Sequence, residues 1–256
     1  MKVLMLDVGG SNVKLMNAHD GEVRKVKSGS QFTPEDMVRE VGEAVADWSF
    51  DCISMGYPGL LRDGRPSRDP LNLGPGWLDF EYEKAFGVPV RFMNDAAMQA
   101  LGNYESGRLL FLGFGTSTGA SLIADDALIG IEIGLLRFTR RAKFMHWLSK
   151  KGLRQLGRRR WLKAVGAAVA TLQDVFSPDI TVLGGGNAKL IEPMPDGCRR
   201  VENASAYRGA ERLWEGADIV AMPRATTWEL VRRPSEKLAL VLVSAGDSSL
   251  AHREAN

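Results

Sequence analysis

The sequence has only two cysteines, three histidines and no long apolar run, and each shortage excludes a class of protein. Cys52 and Cys198 lie far apart and without metal-ligand spacing, so we expect neither a disulfide framework nor a cysteine zinc site. No apolar run approaches the ~20 residues of a membrane span. The apolar stretch at residues 3–6 breaks at Asp7, which does not fit a signal peptide. The sequence therefore predicts a cytoplasmic protein without a membrane span.

Neither sign of charge is in large excess, because the sequence has 33 Lys and Arg residues and 31 Asp and Glu residues. A formal net charge of +2 gives no polyelectrolyte character, and we do not expect a nucleic-acid partner. At 256 residues and 45% hydrophobic, the chain can bury a sizeable core in one large domain or two smaller lobes.

The first notable stretch is residues 7–14, DVGGSNVK, which lies between two apolar segments that read as strands. Gly9 and Gly10 let backbone amides approach a ligand, and successive amides in a tight turn form an anion-binding concavity. Asp7, at the end of a buried strand, is placed to hold a metal ion near phosphates, and Lys14 adds a compensating charge. The alternative is an ordinary Gly-Gly hairpin with a solvated lysine.

The chain repeats this pattern from residue 109: a strand, a glycine-and-hydroxyl turn at residues 113–119, a second strand and a third short strand. The internal echo predicts two lobes of related topology with a ligand between them. We place the lobes at residues 1–107 and 108–256, with residues 225–256 of uncertain placement. Strands alternating with helices predict an α/β fold whose strand ends present polar residues.

Three other motifs are excluded or disfavoured. Residues 115–119, GTSTG, fit the G-x-S-x-G elbow of serine hydrolases, but that elbow needs a helix next and residues 120–123 read as a strand. The same segment is no dinucleotide fingerprint, since no helix begins at its glycines. The sequence contains no P-loop motif.

Five stretches, taken in order, resemble the ROK family of sugar kinases and its polyphosphate glucokinase branch. Residues 7–14 resemble the first phosphate loop of that family, and residues 113–119 the second. Residues 184–187, GGGN, resemble its adenosine loop, and residues 72–77 with 88–96 resemble its sugar site in order and spacing. The resemblance covers residues 1 to about 215 and implies the two-lobed, ribonuclease-H-like fold of the actin, hexokinase and heat-shock ATPase superfamily. In that fold each lobe is a mixed sheet flanked by helices, and the active site lies in the cleft between the lobes.

The resemblance implies a role for each matching residue. Asp95 would be the general base on the sugar hydroxyl, although its position before a helix also suits an N-cap. Asp7 would hold Mg²⁺. Sugar-binding residues would be Pro58, Gly59, Asn72, Asn94, Asp95 and Glu132, with turn or strand-end caps as the alternative for the asparagines and a surface acid for Glu132. Residues for the phosphoryl donor would be Gly9, Gly10, Ser11, Asn12, Lys14, Gly115, Thr116, Ser117, Gly184, Gly185, Gly186 and Asn187.

The resemblance implies a kinase that transfers phosphate from ATP or polyphosphate to a hexose-like sugar with Mg²⁺, and we expect a homodimer. Two departures from the family pattern are Leu135, where the family motif has histidine, and the missing cysteine-rich zinc loop, so no zinc is expected. Leu135 offers a sugar hydroxyl no donor or acceptor, which predicts weak glucose binding or a less polar substrate. One alternative is a non-catalytic sugar or phosphate sensor; a lesser one is a type III pantothenate kinase-like enzyme.

Residues 137–163 form a very basic segment, with eleven Lys and Arg residues and no acid. The commoner fate of such a run is a solvated helix face. The alternative is a contact for an anion, either a polyphosphate or nucleotide donor or RNA, because unopposed cations repel one another. We favour the solvated face.

Overall fold

The computed structural model describes residues 1–17, 21–140, 142–201 and 205–232. The strands of this part of the chain are β1 (Val3–Val8), β2 (Asn12–Asn17), β3 (Val23–Lys27), β4 (Cys52–Tyr57), β5 (Leu61–Arg62), β6 (Arg65–Pro66), β7 (Val90–Asn94), β8 (Leu109–Phe114), β9 (Thr118–Ala124), β10 (Ala127–Ile131), β11 (Arg137–Thr139), β12 (Ala142–Lys143), β13 (Ile180–Gly184), β14 (Cys198–Arg200), β15 (Ile219–Arg224) and β16 (Thr227–Arg232). The helices are α1 (Pro34–Ala44), α2 (Tyr82–Phe86), α3 (Asp95–Asn103), α4 (Phe144–Leu148), α5 (Lys150–Phe176) and α6 (Ser205–Glu211), with 3₁₀ turns at Ile133–Leu135 and Ala188–Leu190.

The first sheet has the strand order β3-β2-β1-β4-β7. β1 pairs antiparallel with β2 and parallel with β4, and β4 pairs parallel with β7. β1 is almost wholly buried, as its apolar sequence predicts for a central strand covered on both faces. β3 lies at the edge, where its alternating charges can stay in water, and this prediction is confirmed.

The second sheet repeats this arrangement and adds to it. Its order is β14-β13-β8-β9-β10-β16-β15, so β10-β9-β8-β13-β14 has the same order as the first sheet. β8 pairs antiparallel with β9 and parallel with β13, as β1 does with β2 and β4. The internal echo in the sequence is therefore confirmed as a repeated topology. The hairpin β15–β16 extends this sheet through pairing of β16 with β10.

Helix α3 lies between the two sheets. Its side chains join a hydrophobic core that takes Phe92 from the first sheet, Ile123 from the second and Trp214 after α6. α3 and α6 cross closely at two glycines: a side chain on Gly102 would meet the Ser205 carbonyl oxygen at 1.6 Å, and one on Gly209 would meet the Met98 carbonyl oxygen at 2.0 Å. Only glycine allows this approach, which fixes α3 against α6.

Helix α6 lies in sequence between β14 and β15, two strands of the second sheet, but it packs on the first sheet. The Ser54 hydroxyl, on β4, donates to the Ala210 carbonyl oxygen (2.7 Å) and accepts a hydrogen bond from Trp214 Nε1 (2.8 Å). The Tyr207 hydroxyl donates to the Asn17 carbonyl oxygen at the end of β2. The chain therefore returns to the first lobe near its C-terminal end. The division of lobes at residues 107 and 108 remains a prediction.

Helix α5 covers the other face of the second sheet. Gly157 adopts a left-handed conformation (φ 73°) and divides the helix into a basic first part and an amphipathic second part. Trp161 Nε1 donates to the Leu148 carbonyl oxygen (3.1 Å), which ties the second part to α4. Apolar residues recur at helical spacing from Trp161 to Phe176 and predict one apolar helix face, and burial of Trp161, Val165, Ala168, Val169 and Leu172 confirms it.

Residues 78–86 read as a helix from the sequence alone, but the structure shows that this prediction starts too early, since α2 begins at Tyr82. The Trp77 amide donates to Asp69 Oδ1 (2.9 Å), and the Tyr82 hydroxyl donates to the Trp77 carbonyl oxygen (2.7 Å). These bonds take up the backbone groups that an earlier helical turn would use. The helix ends at Gly87 in a left-handed cap, as predicted.

The C-terminal part holds two strands that the sequence did not place, β15 and β16. The uncertain stretch at residues 225–256 is therefore partly resolved as strand up to Arg232. The apolar segment at residues 238–243, interpreted as a strand or docked segment, lies outside the described residues. None of the helices within the described ranges is long and apolar enough to cross a membrane.

Candidate active site

The loop between β1 and β2 is closed by its own backbone and by one neighbouring side chain. The Gly9 amide donates to the Asn12 carbonyl oxygen (3.1 Å), and the Ser28 hydroxyl donates to the Gly9 carbonyl oxygen (2.6 Å). Gly10, Ser11 and Asn12 are exposed. Ser28 was not predicted as a site residue, because a lone serine after an edge strand carries no recognisable signal.

The first loop lies directly against the segment that carries Asn72. A Cβ atom on Gly10 would come within 2.9 Å of the Asn72 Cβ atom, which explains why the position is glycine. The structure thus brings together two segments that are more than sixty residues apart in sequence. Pro58 and Gly59 follow β4 in the same lobe, and the Tyr57 hydroxyl donates to the Arg68 carbonyl oxygen (2.8 Å), which folds the long loop back onto them.

Asp7 and Lys14 are direct cross-strand neighbours on β1 and β2. Lys14 Nζ lies 2.9 Å from Asp7 Oδ2, with the Asp7 side chain 24% exposed and the Lys14 side chain 54% exposed. Lys14 therefore balances the Asp7 carboxylate. The other oxygen, Asp7 Oδ1, lies over Gly56, where a Cβ atom would come within 3.8 Å of it.

Asn94, and not Asp95, caps helix α3. Asn94 Oδ1 accepts hydrogen bonds from the amides of Ala96 (3.0 Å) and Ala97 (3.2 Å), so the sequence alternative that made Asp95 the N-cap is wrong. Asp95 is the first residue of the helix, and its Oδ1 accepts from the Ala96 amide (2.7 Å). Its Oδ2 is left for another partner. The strand-end cap considered for Asn94 is confirmed, and its side-chain amide nitrogen stays available.

The environment of Asp95 raises the pKa of its carboxyl from the ordinary 3.8 to about 6. Burial is the main cause, because it disfavours the charged form, and the negative charge of Asp7 adds to it. The Ala96 amide acts in the opposite direction, Glu132 raises the value further, and Lys14 lowers it. A carboxyl with this pKa can accept a proton near neutral pH, and its neighbours come from both lobes.

The loop between β8 and β9 approaches the same place from the second lobe. The Gly115 amide donates to the Ser117 carbonyl oxygen (3.1 Å), and a Cβ atom on Gly119 would lie 3.1 Å from the Ala96 Cβ atom. The second loop therefore abuts the start of α3, next to Asp95. Thr116 and Ser117 are exposed at its tip.

The glycine triplet after β13 packs against the second loop. Gly185 has a left-handed backbone (φ 81°), and a Cβ atom there would meet the Phe114 backbone at 2.6 Å. The Asn187 amide donates to the Phe114 carbonyl oxygen (2.9 Å). Among the described residues, the buried atoms Asn187 Nδ2 and Thr118 Oγ1 have no hydrogen-bond partner. Thr118 was not predicted as a site residue, although it lies within the predicted loop.

Glu132 lies where β10 ends, at the start of the 3₁₀ turn Ile133–Leu135. Gly134 packs on the second loop, since a Cβ atom there would lie 3.2 Å from the Thr118 carbonyl oxygen. Leu135 is 58% exposed. The glutamate is thus held beside the second loop, while the leucine that replaces the family's histidine lies largely at the surface.

The basic segment, residues 137–163, contacts two loops of the second lobe. Its ten described Lys and Arg side chains are all exposed, and none forms an ion pair with a described residue; Arg141 lies outside the described residues. The Lys150 amide donates to the Gly115 carbonyl oxygen (2.7 Å), and Arg158 Nη2 donates to the Leu190 carbonyl oxygen (3.4 Å). A solvated basic face therefore runs from the second loop to the turn that follows the glycine triplet.

No family model matches the chain. A sequence relative and several solved structures are similar to it. The polyphosphate glucokinase of Mycobacterium leprae is 25% identical over 202 residues, which are 71% of this chain; the chain spans only 62% of that relative's length. Among solved structures, the inorganic polyphosphate/ATP-glucomannokinase of Arthrobacter sp. strain KM superposes with a TM-score of 0.68 at 21% identity, over 82% of this chain and 96% of its own.

A second solved structure, a ROK family glucokinase from Streptomyces griseus in complex with glucose and AMPPNP, has a TM-score of 0.67 at 16% identity, over 83% of this chain and 99% of its own. Both superpositions show that this chain shares the fold of these structures. The resemblance predicted from the sequence is confirmed: this chain is similar to the ROK-family sugar kinases and has their two-lobed, actin-like fold.

Proposed function

We propose that this chain is a sugar kinase that transfers a phosphoryl group from ATP or polyphosphate to a hydroxyl of a hexose-like sugar. The observation that carries the proposal is the placement of Asp95, a carboxyl with a pKa raised to about 6, at the start of the helix between the two sheets. Both glycine loops and Glu132 lie around it. Phosphoryl transfer needs this combination of a base for the attacking hydroxyl and donors for the phosphates.

Each lobe would contribute to sugar binding. Asn72 and the free amide nitrogen of Asn94 come from the first lobe, and Glu132 comes from the second. Pro58 and Gly59 would form one wall of the pocket. Because the ligands come from both lobes, closure over the sugar would exclude water and bring the hydroxyl to Asp95. Asp95 would then take the proton of the sugar hydroxyl as its oxygen bonds to the terminal phosphorus of the donor, while the bond from that phosphorus to the bridging oxygen breaks and the rest of the donor leaves.

The donor would lie on the exposed backbone amides of the two glycine loops. Gly9, Gly10, Ser11 and Asn12 would bind phosphates from one side, and Gly115, Thr116 and Ser117 from the other. The unpartnered Asn187 Nδ2, beside Gly184, Gly185 and Gly186, would serve the distal part of a nucleotide or polyphosphate donor. Lys14 would balance charge. Successive amides of this kind are a common phosphate-binding device.

Mg²⁺ fits Asp7. Within the described residues, no three His, Cys, Asp or Glu side chains group closely enough to hold a metal ion. Magnesium in kinases needs only one or two carboxylates, because substrate phosphates and water complete its shell. Asp7 Oδ1 offers such a ligand above Gly56, which has no side chain to obstruct it. When bound there, Mg²⁺ would neutralise charge on the donor phosphates.

A panel of hexoses tested against ATP and polyphosphate, with Mg²⁺ present, decides the proposal. Turnover of any sugar supports it, and the ratio of rates identifies the donor. Calorimetric binding of a sugar without turnover would instead indicate the sensor. Pantothenate belongs in the panel, since its phosphorylation would favour the lesser alternative.

The raised pKa of Asp95 gives the reaction a pH dependence. A general base works only when it is deprotonated, so kcat/KM should be constant well above pH 6 and fall as the pH drops through about 6. At pH values well below 6, kcat/KM should fall by about tenfold per pH unit. Initial rates between pH 4.5 and 8.5, with folding checked by circular dichroism, test this. A profile that stays flat down to pH 4.5 would contradict a base with this pKa.

The solvated basic face should matter only for a long anionic donor. Replacing Arg159 and Arg160 by glutamine should raise KM for polyphosphate by roughly threefold or more at low ionic strength, because unscreened cations attract a polyanion. KM for the sugar should not change. A matched control replaces Lys2, just before β1, and Lys84, on α2, two exposed lysines outside the glycine loops and the strands that flank them. Equal effects of both pairs, or of neither, would show that the basic face serves only solubility.

A further inference from the structure

Two hairpins from different lobes meet at their tips. The first is β5–β6, whose turn residues Asp63 (φ 48°) and Gly64 (φ 72°) are both left-handed. The second is β15–β16, whose turn includes Ala225 (φ 51°). The Asp63 amide donates to the Ala225 carbonyl oxygen (2.7 Å), and the Ala225 amide donates to Asp63 Oδ1 (2.8 Å).

The contact is reciprocal and closely packed. A Cβ atom on Gly64 would lie 3.0 Å from Pro223 Cγ, so the two turns touch through carbon as well as through hydrogen bonds. Behind the tips, the hairpins separate around a cavity of about 270 Å³ lined in part by Arg65, Arg91 and Met222. The tips are therefore the point at which the two hairpins contact each other.

Each hairpin leads to a sugar-site residue. β5–β6 opens the loop that carries Asn72, and that loop lies against Gly10. β16 pairs with β10, whose last residue, Ile131, precedes Glu132. The contact thus joins the segment that positions Asn72 to the strand that positions Glu132.

The second hairpin, β15–β16, is anchored to helix α3 through Arg212. The Ala221 amide, at the root of β15, donates to the Arg212 carbonyl oxygen (2.8 Å). Arg212 is buried, forms an ion pair with Asp218 (2.6 Å) and donates to the carbonyl oxygens of Leu101 (2.5 Å) and Tyr104 (2.6 Å) at the end of α3. Trp228 packs into the shared core. A movement of the tip relative to α3 would disturb this network.

We propose that the contact of Asp63 and Gly64 with Pro223 and Ala225, which we name the inter-lobe lock, sets the spacing of the sugar-binding segments and that Asp63 is a positioning residue for the sugar. This inference rests on the proposed sugar kinase function. The lock restricts the positions that the two sugar-binding segments sample before the lobes close, so less conformational entropy is lost when the sugar binds, and the lock raises sugar affinity without touching the sugar.

The test compares two variants of Asp63. Asp63→Gly keeps the left-handed turn, because glycine adopts positive φ freely, but removes the acceptor for the Ala225 amide. Asp63→Asn keeps both the turn and the acceptor. The Kd of the sugar, by calorimetry, should rise about two- to tenfold in Asp63→Gly and stay near wild type in Asp63→Asn. KM for the phosphoryl donor should not change in either.

The matched control is Asp126→Gly, which replaces another left-handed aspartate (φ 56°) in the β9–β10 turn of the second lobe. Hydrogen exchange of the Ala225 amide reports the lock independently of any ligand and should accelerate in Asp63→Gly alone. An unchanged sugar Kd in Asp63→Gly, equal losses in Asp63→Gly and Asp63→Asn, or a parallel loss of donor affinity would overturn the positioning role. Wild-type protein that binds no sugar would overturn the proposed function instead, and the exchange rate of Ala225 would still show whether the tips are bonded.

Discussion

Asp95→Asn is expected to lower kcat by on the order of 10² or more, because an amide cannot accept the proton of the sugar hydroxyl. The affinity for the sugar should change little. Asn is nearly the same size as Asp and keeps an oxygen that can accept from the Ala96 amide, as Asp95 Oδ1 does now (2.7 Å). The loss should therefore appear in kcat and leave the Kd of the sugar near its wild-type value.

The fold of this variant can be checked by its stability. Burial and nearby charges raise the pKa of Asp95 from 3.8 to about 6, so ionising this carboxyl lowers the stability of the folded protein as the pH rises from 3.8 to about 6. Asn carries no charge, and Asp95→Asn should be at least as stable as wild type at pH 8. The difference should shrink as the pH falls from about 6 towards 3.8 and vanish at lower pH, where Asp95 is neutral in both the folded and the unfolded chain. The control is Asp126→Asn, which removes an exposed carboxyl remote from Asp95.

Full activity in a folded Asp95→Asn variant would remove Asp95 from the mechanism. Equal losses of activity in Asp95→Asn and Asp126→Asn would point to a general effect of charge. A loss of sugar affinity as large as the loss of kcat would make Asp95 a binding residue only.

The second large effect is expected at Glu132. Glu132→Ala should weaken sugar binding by roughly 10- to 150-fold, since a hydrogen bond to a charged group contributes about 1.5–3 kcal/mol. Leu135, in the same turn, has no polar atom and cannot replace it. Calorimetric titration of glucose into wild type and variant measures the change. Glu229→Ala removes an exposed glutamate from the adjoining strand β16 and serves as the control.

The structure changes what is expected of Leu135. A sugar hydroxyl buried against it without a partner would cost about 1–3 kcal/mol. Leu135 is 58% exposed, however, so water can satisfy a hydroxyl at that place. Leu135→His should therefore improve glucose affinity less than Glu132→Ala reduces it. A large gain from the histidine together with no loss from Glu132→Ala would show that the sugar lies elsewhere.

Much of the first lobe could be predicted from the sequence because its signals are local. The apolar run of β1, the alternation in β3 and the Thr33 cap of α1 each specify one element, and all three were found. The repeat of strand, glycine turn and strand predicted the second sheet. The proposed position of the site followed from the polar residues at strand ends, since the ends of neighbouring parallel strands lie at the same edge of a sheet.

The rest depended on contacts that sequence does not display. β15 contains Pro223 and is joined to β16 by a turn at Ala225, which has positive φ without being glycine or asparagine, so the usual hairpin signature is missing. Proline is tolerated there because β15 is an edge strand. The capping of α3 by Asn94 in preference to Asp95 was also undecided from the sequence, since both residue types are good N-caps.

The return of α6 to the first sheet has a consequence for how this protein can be divided. The chain passes between the lobes three times, before β8, before α6 and before β15, so residues 1–107 alone do not contain the complete first lobe. A fragment that ended at residue 107 would leave Ser54 on β4 without the Ala210 carbonyl and the Trp214 indole, and would expose Gly102 where α6 now lies against α3. The two lobes are therefore not interchangeable modules, and an exchange between related chains would have to carry α6 together with residues 1–107.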